Sequence, residues 1–376
     1  MRIARRLREP RWLLVAVPAC CLVFAFFASG IVLLATGHQA LSSYRLIVDA
    51  AFLNRGALGQ TLTSATPLAF TGLAAAAAFR MRLFNIGGEG QLYIGAITAA
   101  AAGLYFGGHG WPSAFVIAAM VLAGSAGGAL WALIPGILRA FFKTNEIITS
   151  LMLNYVAANV MTYLIFNTNS YWRETKGFNA TVFPTSKTLP DSALWPGATI
   201  HVRGGIALPL GAGLAVLVAV FLWALYSRTR FGFEAQVLGD SPRAARYAGI
   251  RTRRKILAVM AISGAIAGLG GASQDGDFRH TLDADPNGLQ RQYYGYTGIV
   301  VAALARYNPF AVILVAFLIG GLQNAGNTLQ GADFPSGLVG VMQGIILFSA
   351  LGGELLVRYR IRFAREAEAA APEAVA

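Results

Sequence analysis

The chain has 376 residues, of which 56% are hydrophobic and only 12% are charged. A soluble domain carries about 25% charged residues, so this composition excludes an ordinary soluble protein. Several apolar runs reach the roughly 20 residues that a helix needs to cross a bilayer, which predicts an all-α membrane protein. The two cysteines, Cys20 and Cys21, are adjacent within an apolar run, so neither a disulfide framework nor a zinc site is predicted.

The first apolar run, Leu13–Ala35, follows a basic segment at residues 1–12. It is longer than the roughly 7 to 15 residues of a signal-peptide core and is therefore predicted to remain as the first spanning helix. A tail at residues 358–376, rich in Ala and Glu after Glu366, is predicted to be cytosolic and disordered. The membrane domain at residues 13–357 is predicted to hold about ten spanning or re-entrant helices, with the later ones at 62–79, 92–106, 115–138, 147–166, 206–226, 256–273, 294–305, 310–322 and 338–351.

The positive charges fall mostly on one side of these predicted helices. Of the 30 Lys and Arg residues, 22 lie in segments that would share a side with both termini, and 8 lie in the opposite segments. Cytoplasmic segments of membrane proteins carry such an excess, so both termini and the loop at residues 227–255 are predicted to be cytosolic. The same bias explains the net charge of +13 without nucleic acid as a partner.

The segment Arg80–Gln91 joins two predicted spans and contains three glycines together with Asn85, Glu89 and Gln91. Glycine-rich backbone at membrane depth is tolerated where it is buried in protein or faces water. An ionisable residue there is a functional candidate, so Asn85, Glu89 and Gln91 are predicted to lie on a substrate path. The alternative is a turn at the cytosolic edge in which Glu89 pairs with Arg80 or Arg82.

The predicted helix at residues 147–166 carries an uncharged polar stripe with aromatic members. Such a stripe suits a neutral hydroxylated or nucleobase-like solute, because amides fix its orientation and aromatic faces cover its rings. The alternative is a set of hydrogen bonds that hold neighbouring helices together. The stripe, within about 100° at 3.6 residues per turn, contains Tyr155, Asn159, Thr162 and Tyr163, with Ser150 and Asn154 beside it; Asn154, Tyr155 and Asn159 are assigned to the predicted path.

Three further segments interrupt the apolar pattern. The loops at residues 167–205 and 274–292 are predicted to be external, where they either receive a partner or serve as plain connectors. The run Tyr294–Ala305 is too short to span, since about 12 residues reach only about 18 Å, and Arg306–Pro309 predicts a tight turn after it. Interrupted helices in corresponding halves are typical of a transport path.

The polar stretch Ser227–Lys255 contains signals for a small helix with its own start and stop. Asp240 or Ser241 can act as N-cap, Pro242 fits the first helical position, and Gly249 fits the position after the C-cap. A capped helix on the cytosolic side is predicted to present a surface to a partner. The alternative is a charged loop lying on lipid headgroups.

Missing motifs also narrow the function. The sequence has no Walker A pattern, its histidines are scattered, and no nucleophile–base pair stands out. The chain is therefore predicted not to be an enzyme and to bind no cofactor or metal itself. An ion-driven secondary transporter remains an alternative; its titratable relay would need Glu89 or Glu146.

Several motifs resemble those of one transporter family. The stretch Phe84–Gln91, with Ala69–Leu73 before it, resembles the permease subunits of bacterial ABC importers for nucleosides and simple sugars, within the superfamily of branched-chain amino acid and ribose permeases. The resemblance covers the chain from about Leu46 to Arg362. Further matching stretches are Thr144–Ile148 with Leu151–Tyr155, Gly239–Ile250, and Gly298–Ala302 with Asn308 and Pro309.

The resemblance implies a subunit of the bacterial inner membrane that moves a neutral solute inward by ATP-driven alternating access. The solute would be a purine nucleoside or, alternatively, a simple sugar. The implied partners are a P-loop ATPase that holds ATP and Mg²⁺, a second related permease, an external substrate-binding protein and membrane lipid. The stretch Gly239–Gly249 would be the coupling helix that docks on the ATPase, with predicted contact residues Glu234, Gly239, Asp240, Arg243, Ala244, Ala245, Arg246 and Gly249.

Overall fold

The computed structural model describes residues 2–5, 13–167, 169–175, 185–200, 206–282, 293–330 and 336–362. They belong to two compact units, one formed by residues 51–324 and the other by residues 1–50 and 325–376. The described part is almost entirely helical, which confirms the predicted helical class. The helices are α1 (Leu13–Ala35), α2 (Ala40–Val48), α3 (Ala57–Phe79), α4 (Gly88–Gly108), α5 (Ser113–Phe142), α6 (Glu146–Phe166), α7 (Leu210–Arg228), α8 (Arg230–Asp240), α9 (Pro242–Tyr247), α10 (Thr252–Ser273), α11 (Tyr294–Leu304), α12 (Pro309–Thr328) and α13 (Ser336–Arg358).

Each predicted span coincides with an observed helix, although the ends differ. Among the described residues, six helices are long and apolar enough to cross a membrane, or seven if the bent pair 23–35 and 40–53 forms one span. The chain is therefore a multi-pass membrane protein. The number of ten spans and the cytosolic side of both termini stay predictions.

The helix α7 begins later than its apolar pattern predicts. Two short strands, β2 (Ala198–Ile200) and β3 (Ile206–Leu208), pair in an antiparallel ribbon before it. The carboxylate of Asp277 accepts hydrogen bonds from the backbone N–H groups of Leu210 and Gly211 at 3.1 and 2.8 Å. This side chain satisfies two of the free donors of the first turn and thereby helps to fix the start of α7.

Glycines allow α4, α5 and α10 to pack with their backbones in contact. A Cβ atom added at Gly128 would overlap the carbonyl oxygen of Gly264, and one at Gly268 would overlap that of Gly124. These four glycines have the small-xxx-small spacing of close helix pairs, and they allow the helices to pack tightly here. The three helices form the centre of the larger unit.

The short helix α11 lies buried against α3 and does not have the length of a span. A Cβ atom at Gly298 would overlap the side chain of Thr71, so the two helices touch closely here. The hydroxyl of Thr71 also donates to the carbonyl oxygen of Tyr294 at 2.9 Å. Residues 305–308 form the predicted turn, in which Arg306 and Tyr307 both have positive φ angles of 50° and 60°.

The described parts of the two predicted external loops pack on each other. The backbone N–H of Trp195 donates to the carbonyl oxygen of Gly276 at 3.0 Å, and that of Leu189 donates to His280 at 2.8 Å. The π-helix Gln274–Arg279 continues α10 into this contact, and the side chain of Trp195 is buried there. The segments are thus not independent connectors; residues 176–184, 201–205 and 283–292 lie outside the described part.

The smaller unit joins the two ends of the chain. Helix α1 packs against α13, and the strand β1 (Arg2–Arg5) pairs antiparallel with β4 (Tyr359–Arg362). The first residues of the predicted disordered tail therefore form a strand, since β1 supplies the hydrogen-bonding edge that a lone segment lacks. Residues 363–376 lie outside the described part.

Candidate functional site

The predicted cytosolic helix is present as α9, with the predicted start and stop. The hydroxyl of Ser241 accepts a hydrogen bond from the N–H of Ala244 at 3.3 Å, and Pro242 occupies the first helical position. Gly249 follows the helix with φ of +72°, a conformation that glycine adopts without strain. Of the two predicted N-caps, Ser241 is therefore the one used.

The predicted coupling residues divide into an outward set and an inward set. Arg243, Ala244, Arg246 and Gly249 are exposed, as is Tyr247, which the sequence analysis had not selected and whose surface is 94% exposed. Ala245 is fully buried, so its methyl group packs α9 onto the chain rather than facing outward.

Glu234 is likewise engaged within the chain. Its carboxylate lies 2.8 Å from Arg230 and 2.8 Å from Lys255, which ties α8 to the start of α10. The hydrogen bond from Lys255 is the main reason that the pKa of Glu234 is held below its usual range. A direct contact between Glu234 and an ATPase would have to compete with both cations.

Gly239 and Asp240 contact the turn after α3. A Cβ atom at Gly239 would lie 3.1 Å from the carbonyl oxygen of Arg80 and 3.1 Å from Met81, so only glycine fits without displacement. The carboxylate of Asp240 lies 3.1 Å from the guanidinium of Arg82. Both residues therefore contact their own membrane domain; Gly239 is buried there, and Asp240 is also exposed at the surface.

The predicted path residues of Arg80–Gln91 form a buried amide pair. The side-chain amide of Asn85 donates to Gln91 at 3.0 Å and accepts from it at 2.9 Å. The same Asn85 nitrogen donates to the hydroxyl of Ser263 on α10 at 2.9 Å. Both amides are at most 2% exposed, so their donors and acceptors hold the segment in place.

Helix α6 holds the other side of this segment. The amide of Asn154 accepts from the N–H of Gly90 at 2.8 Å and donates to the carbonyl oxygen of Ile86 at 2.9 Å. The hydroxyl of Ser150 accepts from the N–H of Ile86 at 3.2 Å. These bonds agree with the alternative in which polar side chains of α6 join helices.

Glu89 caps the buried start of α11. Its carboxyl group accepts hydrogen bonds from the N–H groups of Gly295 at 2.5 Å and Tyr296 at 3.3 Å, and from the hydroxyl of Tyr93. The alternative pairing with Arg80 or Arg82 is not formed, because Arg80 donates to the carbonyl oxygen of Tyr307 and Arg82 pairs with Asp240. Glu89 thus joins the first turns of α4 and α11.

The other path residues lie on the opposite, open face of α6. Tyr155 is 60% exposed and Tyr163 is 66% exposed, and Asn159 lies between them. Together with Val156 and Val160 they line an open depression of about 400 Å³. The structure therefore separates Tyr155 and Asn159 from the buried group of Asn85, Glu89, Gln91 and Asn154.

Two tyrosines that the sequence analysis had not selected stand beside the buried network. The hydroxyl of Tyr296 accepts from Asn154 at 3.2 Å, and the exposed ring of Tyr293 lies 6.2 Å from the ring of Tyr296. The run of tyrosines at residues 293–296, directly before an apolar helix, was the available signal.

Within the residues that the structure describes, no cluster of three or more His, Cys, Asp or Glu side chains could hold a metal ion. The second candidate for a titratable relay, Glu146, forms an ion pair with Arg139 at 3.2 Å. Both acids of the ion-driven alternative are thus engaged in contacts that fix helix ends.

Comparison with known proteins decides the family. Residues 57–351 match the family described as branched-chain amino acid transport system / permease component. The chain belongs to this permease family. The match covers the larger unit from residue 57 onward, with the buried network, the depression on α6 and the capped helix α9.

This permease is similar to three relatives over most of its length. It is 32% identical to the guanosine ABC transporter permease protein NupP of Bacillus subtilis, over 92% of this chain and 94% of the relative. It is 31% identical to the glucose ABC transporter permease protein TsgB13 of Haloferax volcanii, over 97% and 94%. It is 29% identical to the nucleoside ABC transporter permease protein NupB of Lactococcus lactis, over 89% and 90%.

Proposed function

We propose that this permease is a membrane subunit of an ABC importer for a nucleoside, in the inner membrane of a bacterium. The observation that carries the substrate class is the open face of α6, where tyrosine rings and the Asn159 amide line one depression. Aromatic faces can stack on a nucleobase, and an amide can bond its edge or the sugar hydroxyls. The names of NupP and NupB support the same substrate class.

The open face of α6 is proposed to border the substrate path. The amide nitrogen of Asn159 donates to the carbonyl oxygen of Tyr155 at 2.8 Å, but an exposed amide oxygen facing lipid hydrocarbon is still unfavourable, so this face is expected to meet water or protein. A second, related permease would cover it and leave the path between the two subunits. Tyr155 and Asn159 are then the path residues, while Asn85, Glu89, Gln91 and Asn154 hold the helices that form it.

The capped helix α9 is proposed to dock on a P-loop ATPase that carries ATP and Mg²⁺. Its outward residues, Arg243, Arg246 and Tyr247, offer two positive charges and an aromatic ring to a partner. Closure of the ATPase around ATP would move α9 and drive alternating access. On the other side, the external contact between residues 185–197 and 274–282 gives a preformed surface for a substrate-binding protein.

The proposal is tested by uptake of radiolabelled guanosine and glucose in cells that lack this chain and carry wild type or a variant. Tyr155→Ala and Asn159→Leu are expected to lower the maximal guanosine uptake by roughly fivefold or more, since stacking on one base contributes about 1–3 kcal/mol. Tyr105→Ala, which removes an equally exposed tyrosine from α4, serves as the control. Wild-type uptake of glucose alone would identify the permease as a sugar importer, as the TsgB13 similarity would suggest.

A further inference from the structure

The turn Arg80–Arg82 lies where three parts of the larger unit meet. Gly239 and Asp240, directly before α9, contact it as described above. The guanidinium of Arg80 stands 5.2 Å from the ring centre of Tyr226 on α7, whose hydroxyl donates to the carbonyl oxygen of Ala77 at 2.7 Å. The region before α9 therefore touches the membrane domain at the first residues of Arg80–Gln91.

The packing around Gly239 leaves little room for a side chain. Its neighbours are backbone atoms of Arg80 and Met81, which cannot swing away as the end of a side chain could. Arg82 itself has a φ of 54°, a left-handed conformation that costs about 1 kcal/mol or more for a residue with a Cβ atom. The turn is thus held in one shape by contacts on both sides.

The far end of Arg80–Gln91 is held equally firmly. Asn85 and Gln91 bind each other, Asn154 binds both Ile86 and Gly90, and Glu89 caps the start of α11. Because these groups are buried and bonded, displacement of one end of the segment is expected to move the other end rather than bend the segment between them.

We propose that Arg80–Gln91 is a stiff link that carries the movement of α9 to the first turn of α11, where Tyr293 and Tyr296 stand. Arg82 and Gly239 are positioning residues for this step: they act through the link and do not touch substrate. The inference rests on the proposed coupling role of α9. The backbone also runs directly from α9 into α10, which gives a second route for the same movement. A test must therefore change the contact between Arg82 and Asp240 and leave the backbone unchanged.

The test exchanges the charges of Arg82 and Asp240 in the transporter reconstituted with its ATPase, second permease and binding protein. Arg82→Asp and Asp240→Arg are each expected to lower the nucleoside imported per ATP hydrolysed by about fivefold, the upper range for an exposed ion pair. The double exchange is expected to restore most of the ratio. Independent roles of the two residues, or a contact of Asp240 with the ATPase alone, would not give this rescue.

Two controls separate the link from docking. Arg243→Asp, on the outward face of α9, is expected to reduce co-purification of the ATPase, whereas Arg82→Asp leaves it unchanged. Gly239→Ala is expected to lower the coupling ratio, whereas Gly213→Ala, at a site with no atom within 4 Å of the added methyl group, is not. The proposal is overturned if Arg82→Asp and Asp240→Arg each keep the wild-type ratio of nucleoside imported per ATP hydrolysed. It is also overturned if the double exchange gives a ratio no better than that of the worse single variant.

A second readout does not depend on the substrate. A spin label on Tyr293→Cys, with Cys20 and Cys21 replaced by serine, is expected to change its mobility when nucleotide binds the ATPase. The single reversals at Arg82 and Asp240 should abolish this change, and the double exchange should restore it. If wild type imports no nucleoside but the label responds in this pattern, the substrate assignment fails and the link stands.

Discussion

Replacing Glu89 should separate its structural role from a role in proton transfer. Its carboxyl is 2% exposed and accepts hydrogen bonds from Tyr93, Gly295 and Tyr296. Glu89→Ala leaves these three donors buried without this acceptor, at about 1–3 kcal/mol for each unsatisfied group, or roughly 3 kcal/mol or more in all. Glu89→Gln keeps one acceptor oxygen toward α11 and is expected to cost about 1–2 kcal/mol.

The assay is thermal unfolding of the purified permease in detergent, followed by loss of the monodisperse peak in size-exclusion chromatography. With about 2–4 °C for each kcal/mol, Glu89→Ala is expected to lower the midpoint by roughly 6–12 °C and Glu89→Gln by roughly 2–8 °C. Tyr93→Phe should add little to Glu89→Ala, because its hydroxyl has already lost its acceptor.

Two results would contradict this reasoning. An alanine variant as stable as wild type would show that the cap does not hold α11. A glutamine variant that folds normally and keeps its ATP hydrolysis, but imports nothing, would instead favour the ion-driven alternative, since glutamine cannot release a proton.

Three further outcomes follow from contacts elsewhere in the larger unit. Gly128→Leu should abolish membrane expression in fluorescence assays, because its side chain would enter the backbone of α10, whereas Gly213→Leu should express normally. Ser241→Ala should weaken the start of α9 by about 1 kcal/mol, seen as faster amide exchange there. The pKa of Glu234 is lowered, so its ion pair with Lys255 should persist in mild acid and weaken only as the pH falls through the lowered value. Amide hydrogen exchange in α8 measures this change. If the protection of α8 is already lost near neutral pH, the pairing is contradicted.

Local signals were sufficient wherever the structure depends on neighbours in sequence. Helix α9 was predicted with its cap and its stop because serine, proline and glycine act within a few residues of their own positions. The shortness of α11 and the turn after it followed from chain length and Pro309. Helix α2 was missed because residues 40–48 mix polar and apolar side chains without a long apolar run.

Distant partners explain what the sequence could not reveal. Glu89 was singled out correctly as unusual, but its partner Gly295 lies 206 residues further along the chain, so the cap on α11 could not be inferred. Helix α6 gives a second example: the helical repeat of 3.6 residues per turn placed Asn154 beside the polar stripe. Only the packing of α6 shows that Asn154 turns inward while the neighbouring Tyr155 turns outward.

The glycine contacts among α4, α5 and α10 have a consequence at the level of the gene. Any change in the first or second base of a glycine codon that still encodes an amino acid replaces it with a residue that carries a Cβ atom. At Gly128, Gly264 and Gly268, that atom would overlap a backbone carbonyl group of the facing helix, and at Gly124 it would overlap the methyl group of Ala272. A saturation scan should therefore show a band of positions with almost no viable missense alleles here, although none of them contacts solute or nucleotide. At this interface, loss-of-function alleles would report how closely the helices approach rather than what the transporter binds.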